Sequence, residues 1–181
     1  MLFLSLFLAC ASLGKDTGPA QVIEKIETCA NVLNRTACNF AAIDSEGNTV
    51  NLSDLADKPI ILDFSAGWCG PCNVAAKEVE EIQSAYPGIT YLTVLIEDYE
   101  GNIPDADDIL KWQSMHNIED APVWGASREI LTPEPLETAG KFYLSGWPTF
   151  YFLDIGLEIV GAQRGFDSDA IKTWAQDLDS N

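Results

Sequence analysis

Two cysteines held two residues apart, Cys69-Gly70-Pro71-Cys72, are the residues of this chain best suited to chemistry. Such a pair can exist as a dithiol or as a disulfide, and the thiolate is the form that attacks another disulfide. If Cys69 attacks first, Cys72 is placed one helical turn on to attack the mixed disulfide that results. Upstream, Asp63 is a carboxyl group set in an otherwise apolar run, Ile60-Ile61-Leu62-Asp63-Phe64. Desolvation disfavours its charged form, so it can hold a proton near neutral pH. A zinc site would need a second Cys/His pair at ligand spacing, and the only histidine is His116, so no metal and no cofactor is implied.

The elements that must position these groups are legible around them. The apolar run that begins at Ile60 and leads into the cysteines reads as a strand buried on both faces, as in the middle of a largely parallel sheet. Ala75, Val79, Ile82 and Tyr86 then recur at helical spacing, with Lys77, Glu80, Glu81 and Ser84 on the opposite side. This predicts one amphipathic helix from the cysteines to the stop at Tyr86-Pro87-Gly88. Cys69 therefore sits where a strand hands over to a helix. Unpaired N–H groups and the positive end of the helix dipole favour an anion there. Pro71 is tolerated because first-turn N–H groups have no helical partner to lose.

The segment Asp63-Phe64-Ser65-Ala66-Gly67-Trp68-Cys69-Gly70-Pro71-Cys72 resembles the active-site segment of thioredoxins. The resemblance implies that Cys69 is the nucleophile, Cys72 the resolving thiol and Asp63 the proton relay, with Trp68, Gly70 and Pro71 lining the substrate side. Gly146-Trp147-Pro148-Thr149-Phe150 resembles the family's cis-proline loop, which implies that Pro148, with Gly146 and Trp147, holds a substrate strand beside Cys69. Glu97 and Asp98 stand where thioredoxins often carry a lysine near the buried aspartate.

Other segments extend the resemblance over Phe40 to Leu178. Phe40 to Ile43 and Thr49 to Leu52 flank Asp44-Ser45-Glu46-Gly47-Asn48 as a hairpin, and Ser53-Asp54-Leu55 begins a short helical turn. That lead-in resembles periplasmic proteins of the TlpA/ResA type and peroxiredoxins. Thr90 to Ile96 reads as a strand. Asp105 to His116 reads as a helix with Ile109, Trp112 and Met115 in the core and His116 at the surface or the helix end. Ala121 to Trp124 reads as a short strand. The long stretch between Cys72 and Pro148 leaves room for the helix and strand inserted in the TlpA/ResA group. Leu157 to Ala162 closes an antiparallel pair, and Asp167 caps a last helix with Ala170, Ile171, Trp174 and Leu178 inward. The fold expected is α/β and thioredoxin-like: a central mixed sheet flanked by helices, with an N-terminal hairpin and an inserted helix–strand segment.

Ahead of that domain, residues 1–11 are an apolar run too short to span a bilayer as a helix and read as an export leader. The absence of a charged n-region implies a true start upstream of Met1. Leu6-Phe7-Leu8-Ala9-Cys10 resembles a bacterial lipobox, which implies lipidation at Cys10; the rival is ordinary cleavage at Ala9-Cys10-Ala11. Residues 12–38 are a tether and a two-cysteine segment, 39–181 the thioredoxin-like domain. Val22, Ile26, Cys29 and Leu33 are spaced for a short helix. Cys29 and Cys38 bridge in an oxidising compartment and stay thiols in a cytosol, so export makes the bridge the expectation.

With 28 acidic against 10 basic residues and a net charge of −18, nucleic acid is a poor partner. The function expected is an exported, periplasmic, membrane-anchored oxidoreductase that reduces disulfides of client proteins. The Gly-Pro pair between the cysteines resembles reductants, and a reductant outside the cytoplasm implies a membrane thiol reductase as electron donor. Two other classes are the alternatives. A peroxiredoxin-like peroxidase needs a Pro-x-x-x-Thr/Ser-x-x-Cys context that the residues before Cys69 do not supply. A copper carrier of the Sco type uses Cys-x-x-x-Cys with a distant histidine.

Overall fold

A computed structural model describes residues 29–135 and 140–180. The leader with Cys10, the tether up to residue 28 and residues 136–139 lie outside them. The chain opens with a hairpin, β1 (Ala41–Ile43) and β2 (Thr49–Asn51), then a 3₁₀ turn at Leu52–Leu55. β3 (Ile60–Ala66) follows, then α1 (Gly70–Ala75), α2 (Val79–Ala85) and β4 (Thr90–Glu97). Next come α3 (Ala106–His116), β5 (Val123–Gly125), β6 (Leu131–Thr132) and β7 (Phe142–Tyr143). β8 (Thr149–Asp154), β9 (Glu158–Arg164) and α4 (Ser168–Asp179) complete the order.

Seven strands form one mixed sheet in the order β2-β1-β5-β4-β3-β8-β9. The three central strands β3, β4 and β5 run parallel, while β8 and β9 on one side and β1 and β2 on the other are antiparallel. This is the thioredoxin-like architecture expected, with the hairpin at one edge and the α3–β5 insertion inside the sheet. Every residue of β3 is buried, which accounts for its near-continuous apolar run. Alternation along the strand puts Ile61, Asp63 and Ser65 on one face and Ile60, Leu62 and Phe64 on the other. The first face carries a core into which Val79, Ile82, Ile109, Trp112, Ile171 and Leu178 of the helices pack. The second is covered by Phe40, Leu52, Leu131 and Phe142, with the Phe64 and Phe142 rings 5.1 Å apart.

Several expectations need correction. The helix after the cysteines is not continuous, because a 3₁₀ turn at Ala76–Glu78 separates α1 from α2. That tightened turn aims Glu78 at α4, where Ser168 Oγ donates to its Oε2 at 2.5 Å and Lys172 Nζ lies at 3.2 Å. Of the short helix expected from Val22 to Leu33, the part up to residue 28 lies outside the described residues, and residues 29–33 are irregular, with bends at 31 and 32 and a turn at 33. Met115 is exposed and His116 buried. A helix carries the sixth residue after Ile109 about 120° away from it but returns the seventh to within about 20°. α4 buries Ala175 beside Ile171 and Leu178, leaving Ala170 partly exposed.

Candidate active site

Cys69 is the N-cap of α1 and is bonded to Cys72, with their Cα atoms 5.2 Å apart. Both are buried, Cys72 fully. α1 is only six residues long, so the specific donor matters more than the summed dipole. The Cys72 N–H points at Cys69 Sγ at 3.1 Å, a bond that favours a thiolate at Cys69 once the pair is reduced. Gly67 turns the chain out of β3 against the next loop. A Cβ there would lie 2.8 Å from Asp98 C and Tyr99 N, so a side chain at this position would force the two backbones apart.

The rim of the site joins three distant parts of the chain. Trp68, 49% exposed, meets Trp147 edge to face at 6.1 Å between centroids. Its Nε1–H donates to Glu97 Oε2 at 2.7 Å. The other oxygen of Glu97 is paired with Arg128, whose guanidinium lies over the Trp147 ring at 5.6 Å. The Trp147–Pro148 peptide bond is cis, and Pro148 is buried. Gly146 lies against Arg164, whose Cδ would be 3.2 Å from an added Cβ.

Beneath the rim, Asp63 is fully buried on the sheet face that α1 covers. Desolvation pushes its carboxyl up to about 7, opposed by one hydrogen bond from Ser65 Oγ to Oδ1 at 2.9 Å. Beside the cysteines, Asn73 Nδ2 donates to Gly67 O and Cys69 O at 3.0 and 2.8 Å. With the amide so oriented, Asn73 Oδ1 can only accept, and His116 Nε2–H donates to it at 3.1 Å. Burial lowers the His116 pKa, with Lys77 adding to the effect, so the ring is neutral and braces the turn as a hydrogen-bond donor.

Residues 33–128 match the AhpC/TSA family. The chain belongs to the AhpC/TSA family. Its sequence is also similar to thioredoxin H4-2 of Oryza sativa subsp. japonica, 33% identical over 67 residues, 37% of this chain and 43% of that protein. Among solved structures, the pneumococcal exposed lipoprotein thioredoxin from Streptococcus pneumoniae superposes with a TM-score of 0.59 at 28% identity, covering 77% of this chain and 99% of that one. A thiol:disulfide interchange protein of the thioredoxin family from Chlorobium tepidum gives 0.63 at 20% identity, covering 83% and 99%, and shows the fold.

In this AhpC/TSA member the structure brings Trp68, Cys69, Gly70, Pro71 and Cys72 together with Gly146, Trp147 and Pro148, with Asp63 below them. It places Cys29 and Cys38, bonded to each other, away from that group. Cys10 lies outside the described residues. Glu97, Arg128, Asn73 and His116 join the site without a sequence motif that announces them. Glu97 and Arg128 carry charge with no local pattern around them, and Asn73 lies next to Cys72 without a motif of its own. The signal that could have found Glu97 is its place at the end of a buried strand parallel to the one that leads to Cys69.

Proposed function

We propose that this AhpC/TSA member is an extracytoplasmic thiol–disulfide oxidoreductase that reduces client-protein disulfides through Cys69 and Cys72. The bonded pair at the start of α1, with Cys69 Sγ accepting the Cys72 N–H, carries the reading. The Cys69 thiolate attacks a client disulfide, expelling one client thiolate and leaving the other client sulfur bonded to Cys69. Asp63 takes the Cys72 proton; the new thiolate attacks Cys69 Sγ and releases the second client thiolate, which takes a proton from water. Two electrons pass from the dithiol to the client, and the Cys69–Cys72 bond forms. The Trp147–Pro148 loop, held against Trp68, lays the client strand along the site, with Gly70, Pro71 and Gly146 leaving room for its backbone.

The Cys29–Cys38 disulfide supports an oxidising compartment. The Cys10 lipobox supports a lipid tether, and a membrane thiol reductase then restores the dithiol. The structural neighbour named an exposed lipoprotein thioredoxin is in keeping with that location. Insulin reduction by the recharged protein tests the activity. Cys72→Ser should accumulate reducible mixed disulfides with clients while Cys69→Ser traps none; the reverse pattern would invert the two roles. Family membership favours a second reading, peroxide reduction at Cys69. Peroxide turnover with no insulin reduction would put that reading first. Copper carriage is the weakest reading, since His116 Nε2 bonds Asn73.

A further inference from the structure

Asp63 has a second carboxyl oxygen, and what surrounds it is unusual for a core. Parallel pairing sets Thr93 beside Asp63 and Tyr91 beside Ile61, so alternation puts Tyr91 and Thr93 on the face that carries Asp63. All three residues are fully buried. Asp63 Oδ2, Thr93 Oγ1 and Tyr91 Oη have no hydrogen-bond partner among the described residues. Phe and Val would fill the same volumes without stranding a hydroxyl. Three stranded polar atoms at neighbouring positions are what a buried water needs, since such waters make two to four hydrogen bonds each.

The row also leads somewhere. Burial, reinforced by the charges of Asp63 and Glu78, holds the Tyr91 phenol protonated, so its hydroxyl remains a donor. Glu78 reaches solvent beside α4, where Ser168 and Lys172 hold it. The other groups on this face are Ser65, which donates to Asp63 from its own strand, Phe150 across on β8, and the buried cluster that includes Cys72. None of these offers a way out except through the cysteines. A client bonded to Cys69 covers that exit at the moment Asp63 takes the Cys72 proton.

We propose that Thr93 and Tyr91, through water bridging them to Asp63 Oδ2, are positioning residues that set the titration of Asp63 and pass its proton to Glu78 and solvent. The proposal rests on the thiol–disulfide reading above for the origin of the proton. The proton balance is closed: Cys72 S–H gives it to the Asp63 carboxylate, and the hydroxyl row returns it to water, leaving Asp63 ionised for the next cycle.

Carboxyl carbon NMR titration of Asp63 in the oxidised protein reads the row without any turnover. Tyr91→Phe with Thr93→Val removes donors to the carboxylate and should raise its midpoint by about one pH unit. In a single-turnover assay on a preformed mixed disulfide, resolution by Cys72 should fall about tenfold, with Cys69 alkylation unchanged. Thr93→Ser keeps a hydroxyl and should restore both values when combined with wild-type Tyr91. Glu78→Gln should slow resolution, whereas Lys172→Met, which leaves the carboxylate, should not. An unchanged Asp63 midpoint and unchanged resolution in the double variant, with a raised melting temperature, would overturn the proposal and make the hydroxyls idle. If the wild type reduces no disulfide yet the midpoint moves, the thiol–disulfide reading fails and the hydroxyl control of Asp63 stands.

Discussion

Asp63 sits where a charge is expensive, with one hydrogen bond to offset full burial. Its folded-state pKa of about 7 lies above the ordinary value of 3.8 for an exposed aspartate. The native protein therefore binds a proton that the unfolded chain has already released between these values. The stability this provides is fully present below the unfolded pKa and is lost as pH rises through the folded one. Between pH 5 and pH 8 the loss amounts to about 2–3 kcal/mol. Asp63→Asn should remove that slope and make the oxidised protein more stable than wild type at pH 8, measured by urea unfolding at the two pH values. The same variant should resolve mixed disulfides more slowly. A wild type whose stability varies no more than the variant's would show that Asp63 stays ionised across the range.

The stretch from α3 to Arg128 is tied to the elements around the cysteines by bonds that cross long stretches of sequence. Besides His116 to Asn73 and Arg128 to Glu97, the Glu80 Oε2 on α2 accepts the N–H groups of Glu119, Asp120 and Ala121 at 2.9, 3.1 and 3.4 Å. A carboxylate on consecutive backbone donors makes charge-assisted bonds. Glu80→Ala should cost about 1–3 kcal/mol and speed amide hydrogen exchange at Glu119 to Ala121 first, read by mass spectrometry. Protection unchanged at those amides would mean that the loop holds its shape without Glu80. These ties also mark the limit of what the sequence displays. The Cys-x-x-Cys motif, β3 and the α3 boundary at Asp105 are legible because each rests on neighbours in the chain; Asp105 and Asp108 cap each other's backbone. The break between α1 and α2 is not legible, since the apolar spacing is the same in a straight helix and the contacts of Glu78 with Ser168 and Lys172 of α4 come from ninety or more residues away. The rim pairing of Glu97 with Arg128 depends on where an irregular segment lands, and no periodicity encodes that.

Across the whole molecule, the site and the second disulfide occupy opposite ends of the sheet. Cys69 follows the end of β3 at Ala66, whereas the segment that the Cys29–Cys38 bond closes pairs with the start of β9. Ile159 exchanges backbone bonds with Asn34 and Arg35, and Ala37 N–H donates to Leu157 O. Ile159 lies opposite Leu153, which lies opposite Ile60 at the beginning of β3. The segment thus covers part of the outer edge of β9, where unpaired backbone groups would otherwise invite pairing with another chain. The bond joins residues nine apart, and closing so short a loop stabilises the native state by roughly 2–3 kcal/mol through the unfolded chain. Replacing Cys29 and Cys38 together by Ala should lower unfolding stability by that amount and raise the tendency to associate, seen in denaturant melts and light scattering. It should leave disulfide exchange at Cys69 and Cys72 unchanged below the melting range, because none of the rim or proton groups rests on this edge. Loss of exchange with stability intact would instead place the second disulfide in the electron path.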